Sequence, residues 1–92
     1  MTAVRVKICG FTRLSDVRAA VVAGADALGF VFAPRSKRVL TIPRAAELVT
    51  GVPAFVSRVG LFMDQDYEAV ARILDQVPLN LLQFHGAEDA AF

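Results

Sequence analysis

Apolar and polar residues along this chain alternate between two periods. Residues 4–9, 27–32, 55–62 and 80–84 form short apolar or alternating runs that read as strands; between them, apolar side chains recur at helical spacing. In the first run Val4, Val6 and Ile8 point one way, and Arg5, Lys7 and Cys9 the other. The second run is apolar apart from Gly29, as in a parallel strand covered on both faces. A helix over residues 14–23 groups Leu14, Val17, Ala20 and Val21 on one face and ends at Gly24, which supplies a left-handed residue. A second helix begins at residues 41–43, where Thr41 can cap free N–H groups and Pro43 suits a first turn; Gly51 and Pro53 mark its end. For the third, Asp64 is expected to cap a helix carrying Tyr67, Val70, Ile73, Leu74 and Val77 on one side, with Pro78 closing it. After the fourth strand, Glu88 and Asp89 suit the positive end of another helix.

Strands that alternate with helices imply repeated βα units on a parallel sheet. Their spacing is roughly 25 residues, close to the ~30 of a βαβ unit. Right-handed crossovers that all progress in one direction build the wall of a barrel. A doubly wound dinucleotide-binding sheet shares the local pattern, but the first strand here leads to Gly10-Phe11-Thr12, with no G-x-G-x-x-G turn to hold a pyrophosphate.

Composition narrows the partners. Ten basic and nine acidic residues leave a formal charge of +1, so no global field recruits nucleic acid or an anionic membrane, and any anion site must be local. The 92 residues, 55% of them hydrophobic, suffice for one modest core. A single cysteine cannot form an internal disulfide, the first residues lack the apolar stretch of a secretory signal, and no apolar run approaches the ~18 residues of a membrane span. A cytoplasmic protein without membrane contact is expected.

In a βα barrel the helix-facing side of the sheet must be apolar, so Val4, Val6 and Ile8 are expected to be covered and Arg5, Lys7 and Cys9 to face the interior, while the C-terminal strand ends form the active-site rim. Cys9 falls at that rim. A free cysteine there is either a small core residue or, beside a lysine and a helix N-terminus, a thiol able to act as a base. The loop at residues 33–40 brings Arg35, Lys37 and Arg38 to the same end of the sheet. This reads as a solvated loop or as a local anion site, in which an arginine is the better partner for a planar carboxylate. Arg38 is the cation nearest the next helix. The fourth strand delivers Gln83 and His85 to one face, expected to point into the barrel, and Phe84 to the other. His85 can be structural, capping a helix, or can take part in proton transfer near neutral pH. One cysteine and one histidine do not make a zinc site without carboxylates, so no metal is expected.

Four segments, taken in order and spacing, carry a resemblance: Lys7-Ile8-Cys9-Gly10, residues 24–32 (GADALGFVF), Ser36-Lys37-Arg38, and Gln83-Phe84-His85-Gly86, with Arg58-Val59-Gly60-Leu61-Phe62 between them. Together they resemble the phosphoribosylanthranilate isomerases, over essentially the whole chain. The departures are small: Thr-Ile-Pro opens the second helix where the family often has Ser-Pro, and Phe84 stands where leucine is more usual.

The resemblance implies a (β/α)8 TIM barrel and an Amadori rearrangement of N-(5-phosphoribosyl)anthranilate to 1-(2-carboxyphenylamino)-1-deoxyribulose 5-phosphate in tryptophan biosynthesis, without cofactor or metal. It implies that Cys9 is the general base at C2 of the sugar, that Arg38 binds the anthranilate carboxylate, and that His85 and Gln83 lie near the substrate. The general acid of this family is an aspartate at a later strand end, and barrels of this kind grip phosphate after strands seven and eight, which would also lie beyond Phe92. Residues 1–92 are therefore expected to be the N-terminal half of one barrel domain, of about four strands and three helices, and inactive alone. The rival reading is a non-catalytic half-barrel that binds an anion or self-associates through open sheet edges.

Overall fold

The computed structural model describes residues 4–84. Four strands, β1 (Lys7–Cys9), β2 (Ala27–Val31), β3 (Ser57–Phe62) and β4 (Leu81–Phe84), alternate with three helices, α1 (Leu14–Val22), α2 (Ile42–Val49) and α3 (Tyr67–Gln76). The strands are all parallel and lie in the order β1-β2-β3-β4. The order never reverses, so among the described residues there is no switch point of the kind a doubly wound sheet requires. Helix α2 packs against both α1 and α3, forming one helical layer. This is an α/β partial barrel.

The two faces of the sheet differ because side chains alternate along every strand. Leu28, Phe30, Phe32 and Phe62 lie in the core with Val17, Ala20, Ala45, Leu48, Val70, Ile73 and Val77 from the helices. Aromatic rings run across this convex face: Phe32 stacks on Phe62 at 5.4 Å, and Phe62 on Phe84 at 5.6 Å. Phe84 thus extends an existing row of rings. Val31 and Val59 are buried but stand apart from this cluster, on the opposite, concave face.

Helix ends follow local chemistry. The Gly24 N–H donates to the Val21 carbonyl and the Ala25 N–H to the Ala20 carbonyl, and Gly24 has φ +92°. That pairing is the Schellman termination, and its left-handed residue strains any side chain but glycine's. Thr41 caps α2, its hydroxyl accepting from the Arg44 N–H at 3.3 Å.

Three expectations are corrected. Asp66, not Asp64, caps α3, accepting from the Ala69 N–H at 2.8 Å. Asp64 sits in the preceding turn at φ +54°, and Gln65 folds back to accept from the Met63 N–H, which delays the first helical turn. Of the apolar side of α3, Val70, Ile73 and Val77 are buried, whereas Tyr67 is 71% exposed and Leu74 is also exposed. Tyr67 opens the first turn, outside the part of α3 that rests on the core. Finally, Val4, Val6 and Ile8, expected to be covered, are exposed. Among the described residues β1 pairs only with β2 and lies at the edge of the sheet. Among the described residues, no helix is long and apolar enough to cross a membrane.

Candidate functional site

Parallel strands bring all their C-terminal ends to one rim, so the loops after β1, β2 and β3 are neighbours. Cys9 ends β1 and is exposed. Its register partner on β2 is Gly29. A Cβ at Gly29 would stand 2.8 Å from the Cys9 Sγ and 3.0 Å from Leu61 Cδ1. Cys9 therefore lies on the concave face, and the missing side chain at position 29 makes room for its sulfur.

The next residue, Gly10, has φ +90° and donates its N–H to the Gly29 carbonyl at 3.0 Å. A Cβ at Gly10 would be 2.7 Å from Arg38 Cδ and 2.8 Å from its Nη1. The arginine of the basic loop thus lies over the backbone that immediately follows Cys9. The loop itself is tightly turned. The Ser36 N–H donates to the Ala33 carbonyl, the Ser36 hydroxyl accepts from the Arg38 N–H at 3.1 Å, and the Leu40 N–H returns to the Val31 carbonyl at 2.8 Å.

The two arginines of that loop do not converge. Arg35 lines a separate cleft of about 220 Å³ with Ala33, Pro34, Met63, Asp64 and Gln65, on the side of β3. Gln65 closes this side by donating to the Phe32 carbonyl at 2.8 Å, joining the loop after β3 to the end of β2. Arg38 alone of the two arginines is placed against the segment after Cys9.

Gln83, the third residue of β4, shares the concave face, as alternation predicts. Lys7 donates from Nζ to its Oε1, although β2 and β3 lie between their strands. Flat strands ~4.8 Å apart would put β1 and β4 about 14 Å from one another, so this contact reflects curvature of the sheet. His85 lies outside the described residues, as do Gly86, Glu88 and Asp89.

Sequence reading missed three rim residues: Gly29, Gln65 and Arg44. Arg44 donates from Nη2 to the Thr12 carbonyl at 2.8 Å. A signal for Arg44 existed, because a cation in the first turn of a helix opposes the helix dipole. For Gly29 the signal was weaker: a glycine inside an otherwise apolar strand marks a close approach.

Sequential parallel strands, one layer of helices on the convex side, and a thiol, an arginine and a carboxamide on the rim and concave face define a segment of a βα-barrel protein. The family model "N-(5'phosphoribosyl)anthranilate (PRA) isomerase" matches residues 6–92, and the chain belongs to that family. An N-(5'-phosphoribosyl)anthranilate isomerase of Dechloromonas aromatica is 57% identical over 88 residues, which cover 96% of this chain and 42% of the relative. The protein of the same name from Thiobacillus denitrificans is 58% identical over 89 residues, covering 97% and 43%. The crystal structure of the Thermotoga maritima phosphoribosyl anthranilate isomerase superimposes with a TM-score of 0.92 at 44% identity, over 97% of this chain and 43% of that one. A further isomerase structure, in complex with reduced 1-(o-carboxyphenylamino)-1-deoxyribulose 5-phosphate, also gives a TM-score of 0.92 at 44% identity. The chain spans a little under half the length of these relatives.

Proposed function

We propose that the protein carrying this chain is a cytoplasmic phosphoribosylanthranilate isomerase, and that residues 1–92 supply the N-terminal half of its barrel domain and of its active site. The observation that carries this reading is the placement of the Arg38 side chain over Gly10, next to Cys9. A cation thus lies against the residue that follows a candidate base at one rim. A structural relative binds a reduced form of the aminoketose product, a ligand with both a carboxylate and a phosphate.

In this proposal Arg38 holds the anthranilate carboxylate through its planar guanidinium. After ring opening gives a protonated Schiff base, the Cys9 thiolate takes the proton from C2 of the sugar. The C2–H electron pair forms the C1=C2 double bond, and the C=N pair returns to nitrogen. The resulting enolamine is protonated at C1 and loses its hydroxyl proton to give the aminoketose. Gln83, held by Lys7, and His85 border the substrate. The general acid for ring opening and the phosphate grip belong, by family resemblance, to strand ends outside this chain.

The test is an assay of the full-length protein with N-(5-phosphoribosyl)anthranilate, following loss of substrate and appearance of the aminoketose. Turnover is expected; a folded full-length protein that leaves the substrate untouched would end this reading. A second reading, a half-barrel that self-associates, draws on the exposure of Leu81 and Leu82 on β4 and of Val6 and Ile8 beside β2.

A further inference from the structure

We propose that Arg44 is a positioning residue for this site: it clamps the loop after Cys9 to the helix that follows the Arg38 loop. The inference rests on the isomerase reading for its kinetic consequence, but not for its structural one.

The start of α2 holds a local conflict. Arg44 stands three residues after the cap Thr41, in the first turn of α2, and that turn carries no acidic residue. A cation at this end of a helix is disfavoured by the dipole and by the unpaired N–H groups. Its side chain makes two contacts that answer the conflict. Nη1 pairs with Glu47 Oε1 at 3.0 Å, one turn on, and Nη2 donates to the Thr12 carbonyl at 2.8 Å. The second contact leaves the helix altogether and reaches the loop between β1 and α1.

Among the described residues, the part of that loop next to α1 has little else to hold it. The N-cap of α1 is Arg13, whose side chain makes no capping hydrogen bond. Phe11 anchors the loop by packing in the core against Phe30, and the Gly10 N–H is tied to Gly29. Between Phe11 and the first turn of α1, the bond from Arg44 to Thr12 ties the loop to another element. Cys9 and Arg38 must together span one substrate, so their separation has to be fixed by the loops that follow β1 and β2. Arg38 rests on the first of these loops, and Arg44 joins the same loop to α2. Two arginines on either side of one helix start thus register the base against the cation.

Full-length Arg44→Met, which keeps an unbranched stem and helix propensity without donors, and Arg44→Lys, which keeps a donor, test the clamp. Amide exchange at residues 10–13, alkylation of Cys9 by iodoacetamide, melting temperature, kcat and KM are compared with wild type. Expected for Arg44→Met are faster exchange at residues 10–13 with residues 45–49 unchanged, an altered Cys9 alkylation rate, and kcat lowered about tenfold with KM within about twofold, since small misplacements cost rate more than affinity. Arg44→Lys should recover part of each change. Unchanged exchange and kcat in Arg44→Met would overturn the proposal. So would faster exchange throughout α2 and a lowered melting temperature with kcat intact, the pattern of a merely structural arginine. If wild type itself shows no turnover, the isomerase reading fails separately, and equal exchange and alkylation in the two proteins would then overturn the clamp.

Discussion

Arg38 occupies the space that a side chain on Gly10 would need, with its Cδ and Nη1 only 2.7 and 2.8 Å from where a Cβ would stand. Gly10→Ala in the full-length protein should therefore act twice. Its φ of +90° would strain alanine by about 1–3 kcal/mol, seen as a lowered melting temperature. The flexible arginine would also be pushed aside, and KM should rise. In an Arg38→Ala background the same substitution should add little to KM; a full additional rise would show that Gly10 does not act through Arg38.

Arg35 and Arg38 belong to one loop but face different neighbours, which separates their expected effects. If Arg38 holds a desolvated substrate carboxylate as proposed, Arg38→Ala should weaken binding by about 2–5 kcal/mol. Arg35, at the cleft beside Met63 and Gln65, should matter much less when changed to alanine. Equal changes in KM for the two variants would remove Arg38 from its assigned place.

The start of α3 offers a test by stability alone. The Asp66 carboxylate accepts from the Ala69 N–H at 2.8 Å, and losing an N-cap typically costs about 1 kcal/mol. Asp66→Ala should lower the unfolding free energy by that order, and Asp66→Asn by less. An unchanged denaturation midpoint for Asp66→Ala would mean that the cap contributes nothing.

The same turn shows where sequence patterning stops being informative. Four strands and three helices were legible because hydrophobic spacing is set by the two faces of each element, and so was the shared face of Lys7, Cys9 and Gln83. Choosing Asp64 over Asp66 depended on where the first free N–H of the helix falls, and that is decided by Gln65 reaching back to Met63 and across to Phe32. The second of these contacts joins residues distant in sequence. The stacking of Arg38 on Gly10 is another, since neither residue's type or spacing announces it. Exposure at β1 was misread because an apolar column was assumed to be covered, whereas an edge strand has a neighbour on one side only.

The isolated 92-residue chain should self-associate and lack isomerase activity. β1 and β4 are the outer strands of the described sheet, and each leaves apolar side chains exposed. Unpaired strand edges beside apolar surface favour pairing with another copy. Sedimentation across a concentration series should show species larger than a monomer. A monomer at all concentrations, or measurable turnover by the 92-residue chain alone, would count against this.

Cys9→Ser decides whether the thiol performs chemistry or fills space. The sulfur lies beside the open position at Gly29 on the concave face, and Cys9 is exposed, so little buried apolar contact would be lost by the change. Serine keeps the shape but, without an adjacent base, is a poor proton acceptor, and loss of a general base typically lowers the rate by about 10²–10⁴. In the full-length protein the melting temperature and the affinity for the reduced product analogue should stay close to wild type while single-turnover rates fall by that factor. A packing role predicts the reverse, with lowered stability and near-normal turnover. Cys9→Ala sharpens the comparison, because it removes the oxygen that could relay a proton through water yet leaves the space beside Gly29 no more crowded. If both variants turned over substrate at near wild-type rates while remaining folded, the base would have to be sought on another strand end, and Cys9 would be no more than the residue that fits against Gly29.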